Sequence, residues 1–189
     1  MKTLVVYDLD DTIIKTDARI YVRRKVEKED KDFSLNTEQF TRFALEEGDV
    51  INLGEFIKPI NNFIVNGREI DRLKKLLTDP SYEVYVITLR PGREYIHNLL
   101  HNIGVNLKKN NIIAMGDKTT ELYIKPYICN KDMITFLSSS AQQKLKIIKG
   151  LVTGSYYYKL IVFDNMNSTL LAVKNSDLEI KKETFLIKF

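Results

Sequence analysis

Three apolar runs punctuate this chain, and each ends on polar residues. Thr3 to Leu9 (TLVVYDL), Tyr82 to Leu89 (YEVYVITL) and Tyr158 to Phe163 (YKLIVF) are nearly continuous and rich in β-branched and aromatic residues. That is the pattern of strands buried on both faces. Asn111 to Met115 (NIIAM) is a shorter candidate. Between them the apolar period becomes helical: Ile70, Leu73, Leu76 and Leu77 share one face. A second helix is predicted from Pro91, with Tyr95, Ile96, Leu99 and Leu100 as its stripe and Gly104 as its stop. A third is predicted over Ser138 to Leu151, opening on serines that can cap it, with Leu145, Ile148 and Leu151 along one side. Strands alternating with helices predict an α/β fold, a Rossmann-like doubly wound parallel sheet with helices on both faces.

Residues 16–58 break this rhythm. ARIYVRRKVEKEDKDF reads as a charged hairpin, and Asn36 with Gln39 three residues on reads as the start of a short helix. The expected division is a core of 1–15 and 59–189 with a small inserted cap, 16–58. Leu178 to Phe189 alternates loosely and is expected to add an edge strand.

Charge changes this picture little. The chain of 189 residues carries 29 basic and 25 acidic side chains, and residues 141–189 hold 8 basic against 4 acidic. The whole excess lies there, so any polyanion footprint is local. A single cysteine, Cys129, excludes an internal disulfide and fits a reducing compartment. His97 and His101 have i, i+4 spacing but lack the glutamate of HExxH and any third ligand, and read as helix-surface residues. No uncharged run approaches the roughly 18–20 residues of a spanning helix. MKTLVVYDLDD meets acids too early for a signal peptide. A soluble, cytoplasmic protein with no membrane partner is expected.

The chemistry lies where the strands run out. In VVYDLDDT, Asp8 and Asp10 follow a buried strand and Thr12 comes next. In an open parallel sheet, ligands bind beyond the carboxyl ends of the strands. Two carboxylates there are costly unless cations or hydrogen-bond donors compensate them, and a divalent cation on oxygen ligands is the natural compensation. An EF-hand loop fails, since Ile13 replaces the required glycine. Thr88 closes the second strand before a helix, placing a hydroxyl near main-chain amides that suit an oxyanion. Lys144 has Ile148 and Leu151 at +4 and +7, so its face borders the core, although a lysine such as Lys144 or Lys146 more often lies on a solvated face. Asp164 ends the third strand in VFDNMNSTLLAV.

This ordered set resembles the haloacid dehalogenase (HAD) superfamily of phosphohydrolases, over residues 4 to about 173. The compact chain looks like the small phage-type members with a short cap between the first two motifs. The resemblance implies a HAD-like core with four motifs meeting at the sheet's carboxyl edge. It makes Asp8 the nucleophile, Asp10 the acid/base, and Thr88 with Leu89 and Lys144 the phosphate-binding and catalytic partners. It implies Mg²⁺ held by Asp8, Asp10 and Asp164, with Thr12 and Asn165 in supporting positions. The chain departs from many members in having Asn165 where a second acid stands. IIAMGDKTTE is a rival for the last motif through Asp117 and Glu121, but Asp164 follows a plausible lysine and keeps the family's order.

The chemistry implied is phosphate-ester hydrolysis. A dehalogenase needs no leaving-group acid at Asp10, and the Lys-Thr-Gly-Thr segment of transport ATPases is missing. The expected partner is a nucleotide or a 3′-phosphate polynucleotide end. Arg23, Arg24 and Lys25 could grip a second phosphate and Tyr21, Phe33 and Phe40 could stack on a base, against the commoner uses of an edge and a packed lid. Two other classes compete. A catalytically weak HAD-like scaffold would bind nucleic acid or protein without turnover, a reading that Asn165 keeps open. A receiver domain would take its phosphorylated aspartate from the third strand, ahead of Thr and Lys, which is not the order here. A P-loop kinase is excluded, because no GxxxxGK[ST] occurs.

Overall fold

The computed structural model describes residues 1–26, 29–52, 54–115 and 127–188. The chain opens with β1 (Lys2–Tyr7), β2 (Ile14–Thr16), β3 (Ile20–Arg24), β4 (Lys31–Leu35), α1 (Thr37–Arg42), β5 (Val50–Asn52) and β6 (Phe63–Val65). It continues through α2 (Gly67–Thr78), β7 (Tyr82–Thr88), α3 (Arg93–Asn102), β8 (Ile112–Ala114) and β9 (Tyr127–Cys129). It closes with α4 (Asn130–Thr153), β10 (Tyr157–Asp164), α5 (Asn167–Lys174) and β11 (Lys181–Leu186).

Five strands form one parallel sheet in the order β11-β10-β1-β7-β8. Chain order runs outward from β1 both ways, through β7 to β8 on one side and from β10 to β11 on the other. Between β1 and β10 the connections therefore leave the sheet in opposite directions, which makes their carboxyl ends the topological position where open α/β sheets bind ligands. This is an α/β architecture compatible with a Rossmann-like fold. The expected edge strand is β11, parallel to β10.

Alternation along β1 builds two cores. Val5 and Tyr7 face one, with Ile70 and Leu73 of α2 and Ile96, Leu99 and Leu100 of α3. Leu4 and Val6 face the other, with Leu145 and Ile148 of α4 and Leu170 and Val173 of α5. Each fully buried aliphatic side chain contributes about 1.5–3 kcal/mol, so helices on both faces are needed to cover a strand apolar on both.

Two helices differ from expectation at their starts. Pro91 lies outside α3, because Gly92 is its N-cap at φ 92°, a left-handed conformation that glycine alone adopts without strain. The chain turns there before the helix begins. In α4, Ser138 lies inside the helix, which starts at Asn130.

β2 and β6 pair antiparallel as a two-stranded stem, and residues 17–62 between them form a lobe. Its sheet runs β4-β3-β5-β9, all antiparallel. The hairpin predicted from the sequence is β3–β4. The short helix begins with a reciprocal capping box, Asn36 Oδ1 accepting from Gln39 N at 2.7 Å and Gln39 Oε1 from Asn36 N at 2.9 Å. β9 joins this sheet from beyond β8, outside residues 16–58. Ile20, Val22 and Ile51 form the lobe's core with Phe33, Leu35, Phe40, Phe43, Leu45 and Phe56. Among the described residues, no helix is long and apolar enough to cross a membrane.

Candidate active site

Strand register brings the first pair of site residues together. Tyr7 stands opposite Phe163 and their rings stack 4.4 Å apart, while Asp8 N donates to Phe163 O at 2.9 Å. One residue further along each strand come Asp8 and Asp164, turned by alternation to the opposite face. That face carries α4. Ala141, Leu145 and Ile148 are buried, and Lys144, on the same stripe, is 3% exposed. Its Nζ donates to Asp8 Oδ1 and to Asp164 Oδ2, both at 2.8 Å. Lys146 is exposed, and Lys144 is the lysine that reaches Asp8 and Asp164.

The electrostatics follow from burial. Asp8 and Asp164 are 6% and 2% exposed, and two carboxylates share one ammonium. Burial pushes the Asp8 carboxyl up to about 7; Lys144 opposes the rise, and Asp164 adds to it. Burial alone would lower Lys144, but Asp164 and Asp8 more than offset it and hold the ammonium above its ordinary range. Asp164 also accepts from Met166 N at 2.7 Å, a turn that leads into α5, and the neighbouring Asn165 is half-buried.

Asp10 is held elsewhere. The chain reverses beyond β1, with Leu9 O accepting from Ile13 N and Ile14 N, and with Asp11 at φ 55°. Asp10 Oδ1 accepts from Arg90 Nη2 at 2.7 Å, and both its oxygens lie 3.2 Å from Arg90 Nε. Arg90 Nη1 donates to the lobe's Phe56 O at 3.0 Å. A guanidinium fork thus holds the carboxylate of Asp10, which the resemblance places in a metal set. Sequence reasoning missed Arg90. The available signal was a basic residue two positions after Thr88, between a strand end and a Pro-Gly turn.

Thr88 is 1% exposed; its Oγ1 accepts from Arg90 N at 3.1 Å and does not cap α3. Leu89 is half-buried and packs on the core under α4. Thr12 is fully buried in the turn after Asp10; its carbonyl accepts from Asn66 Nδ2 at 3.2 Å, and its Oγ1 has no partner among the described residues. Asp117 and Glu121 lie outside the described residues.

The lobe's cations and aromatics are largely committed. Arg24 forks onto the buried Asp49 at 2.9 and 2.8 Å, binds Ala44 O and Glu46, and lies over the rings of Phe33 and Phe43. Arg23 pairs with Asp32, and Lys25 is exposed. Phe33 and Phe40 pack in the lobe's core, while Tyr21 is partly exposed with its hydroxyl donating to Glu55 Oε1 at 2.7 Å.

Among the described residues, no three His, Cys, Asp or Glu side chains converge as a metal site. Asp8 and Asp164 nonetheless suit a hard cation in donor type, because both offer oxygen. When both are ionised their two negative charges exceed the single positive charge of Lys144, and Arg90 is spent on Asp10. No family model matches the chain, and neither a curated protein nor a solved structure matches it.

Proposed function

We propose that this protein is a Mg²⁺-dependent phosphomonoester hydrolase of the HAD type, with the lobe as its cap. The observation that carries the reading is Lys144 between Asp8 and Asp164 at the sheet's switch point. A buried carboxylate beside a buried ammonium, with charge still to be balanced, suits attack on a phosphoryl group. Asp8 and Asp164 would hold Mg²⁺, which supplies neutralisation of the phosphoryl oxygens.

In the first half-reaction Asp8 attacks phosphorus through an oxygen, and the bond to the ester oxygen breaks. Asp10, protonated for this step, gives its proton to the departing alkoxide. Lys144 offsets repulsion between Asp8 and the phosphoryl group, and Thr88, at the end of the neighbouring β7, would take a phosphoryl oxygen. In the second, water attacks the aspartyl-phosphate and Asp10 takes its proton. Phosphate leaves and Asp8 is regenerated. Paired with Arg90, Asp10 is an acceptor, the form this second step requires.

The substrate class we propose is a nucleotide or a 3′-phosphate polynucleotide end. Arg24 belongs to the lobe's interior, so any contact to a second phosphate falls to the exposed side around Lys25 and Tyr21. The test is phosphate release with Mg²⁺ from p-nitrophenyl phosphate, nucleoside 5′- and 3′-monophosphates, sugar phosphates and a 3′-phosphorylated oligonucleotide. Turnover lost on metal removal and in Asp8→Asn is expected. Folded, Mg²⁺-supplemented protein silent on every substrate would overturn the reading in favour of a binding scaffold.

A further inference from the structure

Arg90 touches Asp10 with two of its nitrogens and the lobe with the third. It is 2% exposed, although it lies in a loop. Nε and Nη2 engage Asp10, Nη1 donates to Phe56 O at 3.0 Å, and the guanidinium carbon lies 5.1 Å from the centre of the Phe56 ring. The turn bearing Phe56, Gly54–Ile57, is itself tied into the lobe. Glu55 accepts from Arg19 N and from the Tyr21 hydroxyl, each at 2.7 Å. Gly54 N donates to Asn52 Oδ1 at 2.7 Å, so close that a Cβ on Gly54 would meet that oxygen at 2.8 Å. A continuous set of contacts thus runs from β3 and β5 through Phe56 and Arg90 to Asp10.

We propose that Arg90 is a positioning residue through which the seated lobe sets the orientation of Asp10. The proposal rests on the phosphatase reading above. Guanidinium geometry is rigid and planar, so an edge fixed on the lobe dictates where the other edge holds a carboxylate. Lifting the lobe removes a hydrogen bond and the ring beneath Arg90 together. Proton transfer by Asp10 is then dependent on the lobe even though, among the described residues, the lobe gives Asp10 no side chain of its own.

The experiment compares two esters that differ in their need for a leaving-group proton. A nucleoside 5′-monophosphate releases an alkoxide and needs one; p-nitrophenyl phosphate releases a stable phenolate and does not. Asp10→Asn is expected to lower kcat on the nucleotide by roughly 10²–10⁴-fold, the usual contribution of a general acid, and much less on p-nitrophenyl phosphate. Arg90→Gln should reproduce that selective loss, and Phe56→Ala should show a smaller loss of the same kind. Arg90→Gln combined with Asp10→Asn should be no slower than Asp10→Asn. Arg90→Lys should recover part of the loss, and on that background Phe56→Ala should have no further effect. Equal losses on both esters, additive losses, or a raised KM with unchanged kcat would overturn the proposal. If the wild type itself turns over nothing, the phosphatase reading fails, and unfolding midpoints decide the coupling alone. The shifts from Asp10→Asn and Phe56→Ala should be non-additive with Arg90 present and additive with Arg90→Gln. Additivity in both backgrounds would overturn it.

Discussion

Asp8 and Asp164 end neighbouring parallel strands and each accept, at 2.8 Å, from the ammonium of Lys144. The cation makes that juxtaposition tolerable. Removing it leaves two buried carboxylates facing each other, and breaking a buried charged pair typically costs about 3–5 kcal/mol. Lys144→Ala is therefore expected to lower unfolding stability by about that amount in metal-free buffer at neutral pH, measured by urea denaturation. The penalty should shrink in mild acid, where Asp8 takes up a proton.

The raised carboxyl of Asp8, at about 7 against an ordinary 3.8, gives a pH dependence of definite sign. The folded chain binds this proton more tightly than the unfolded chain. Asp8's contribution to stability is thus fully present below about pH 4 and is lost as pH rises towards 7, by at most about 1.4 kcal/mol per pH unit for one proton. Thermal melts of metal-free protein across this window should show the decline, and Asp8→Asn should flatten it. Mg²⁺ should raise the melting temperature more at pH 7.5 than at pH 5, because the cation competes with that proton. A rise equal at both values would argue against Asp8 as a ligand.

Legibility in the sequence followed the range of the interactions. Asp8 and Asp164 were visible because each follows a run apolar enough to be a buried strand, and the strand end itself places them. Lys144 was visible through Ile148, four residues on, which turns its face to the core. Arg90 was legible only as a basic residue between a strand end and a Pro-Gly turn, because the contacts that bury it lie 80 residues away at Asp10 and 34 away at Phe56. The same limit applies to β9, whose partner β5 is far upstream and whose three residues carry too short a pattern. Gly92 is a conformational case: proline ahead of a helix reads as its first turn, whereas the left-handed glycine postpones the helix to Arg93.

The lobe depends on another buried pair. Asp49 is fully buried, and the hydrogen bond from Arg24 holds its carboxyl below the ordinary range against the opposing effect of burial. Its contribution to stability is present above about pH 4 and is lost as pH falls through the lowered value, opposite in sign to that of Asp8. Asp49→Asn, which removes the charge opposite the guanidinium, is expected to cost about 3–5 kcal/mol. Arg24→Lys, which keeps the charge and loses the fork, should cost less. Hydrogen exchange should report faster opening in β3, β4 and β5 for both variants, with β1 and β10 unchanged. Equal acceleration in both sheets would mean that the lobe does not open separately.

Thr12 provides the sharpest test of the turn beyond β1. Its side chain is fully buried and Oγ1 lacks a partner among the described residues, while its main chain is held by Asn66. An unsatisfied buried hydroxyl costs about 1–3 kcal/mol, and valine has the same shape without it. Thr12→Val is therefore expected to raise the urea midpoint at unchanged slope, a gain of about 1 kcal/mol or more. Thr12→Ala keeps the same relief but opens a methyl-sized gap, so it should gain less or lose stability. Thr12→Ser retains the hydroxyl and loses a methyl group, and should be the least stable of the three. A fall in midpoint with valine would show that the hydroxyl is bonded in solution.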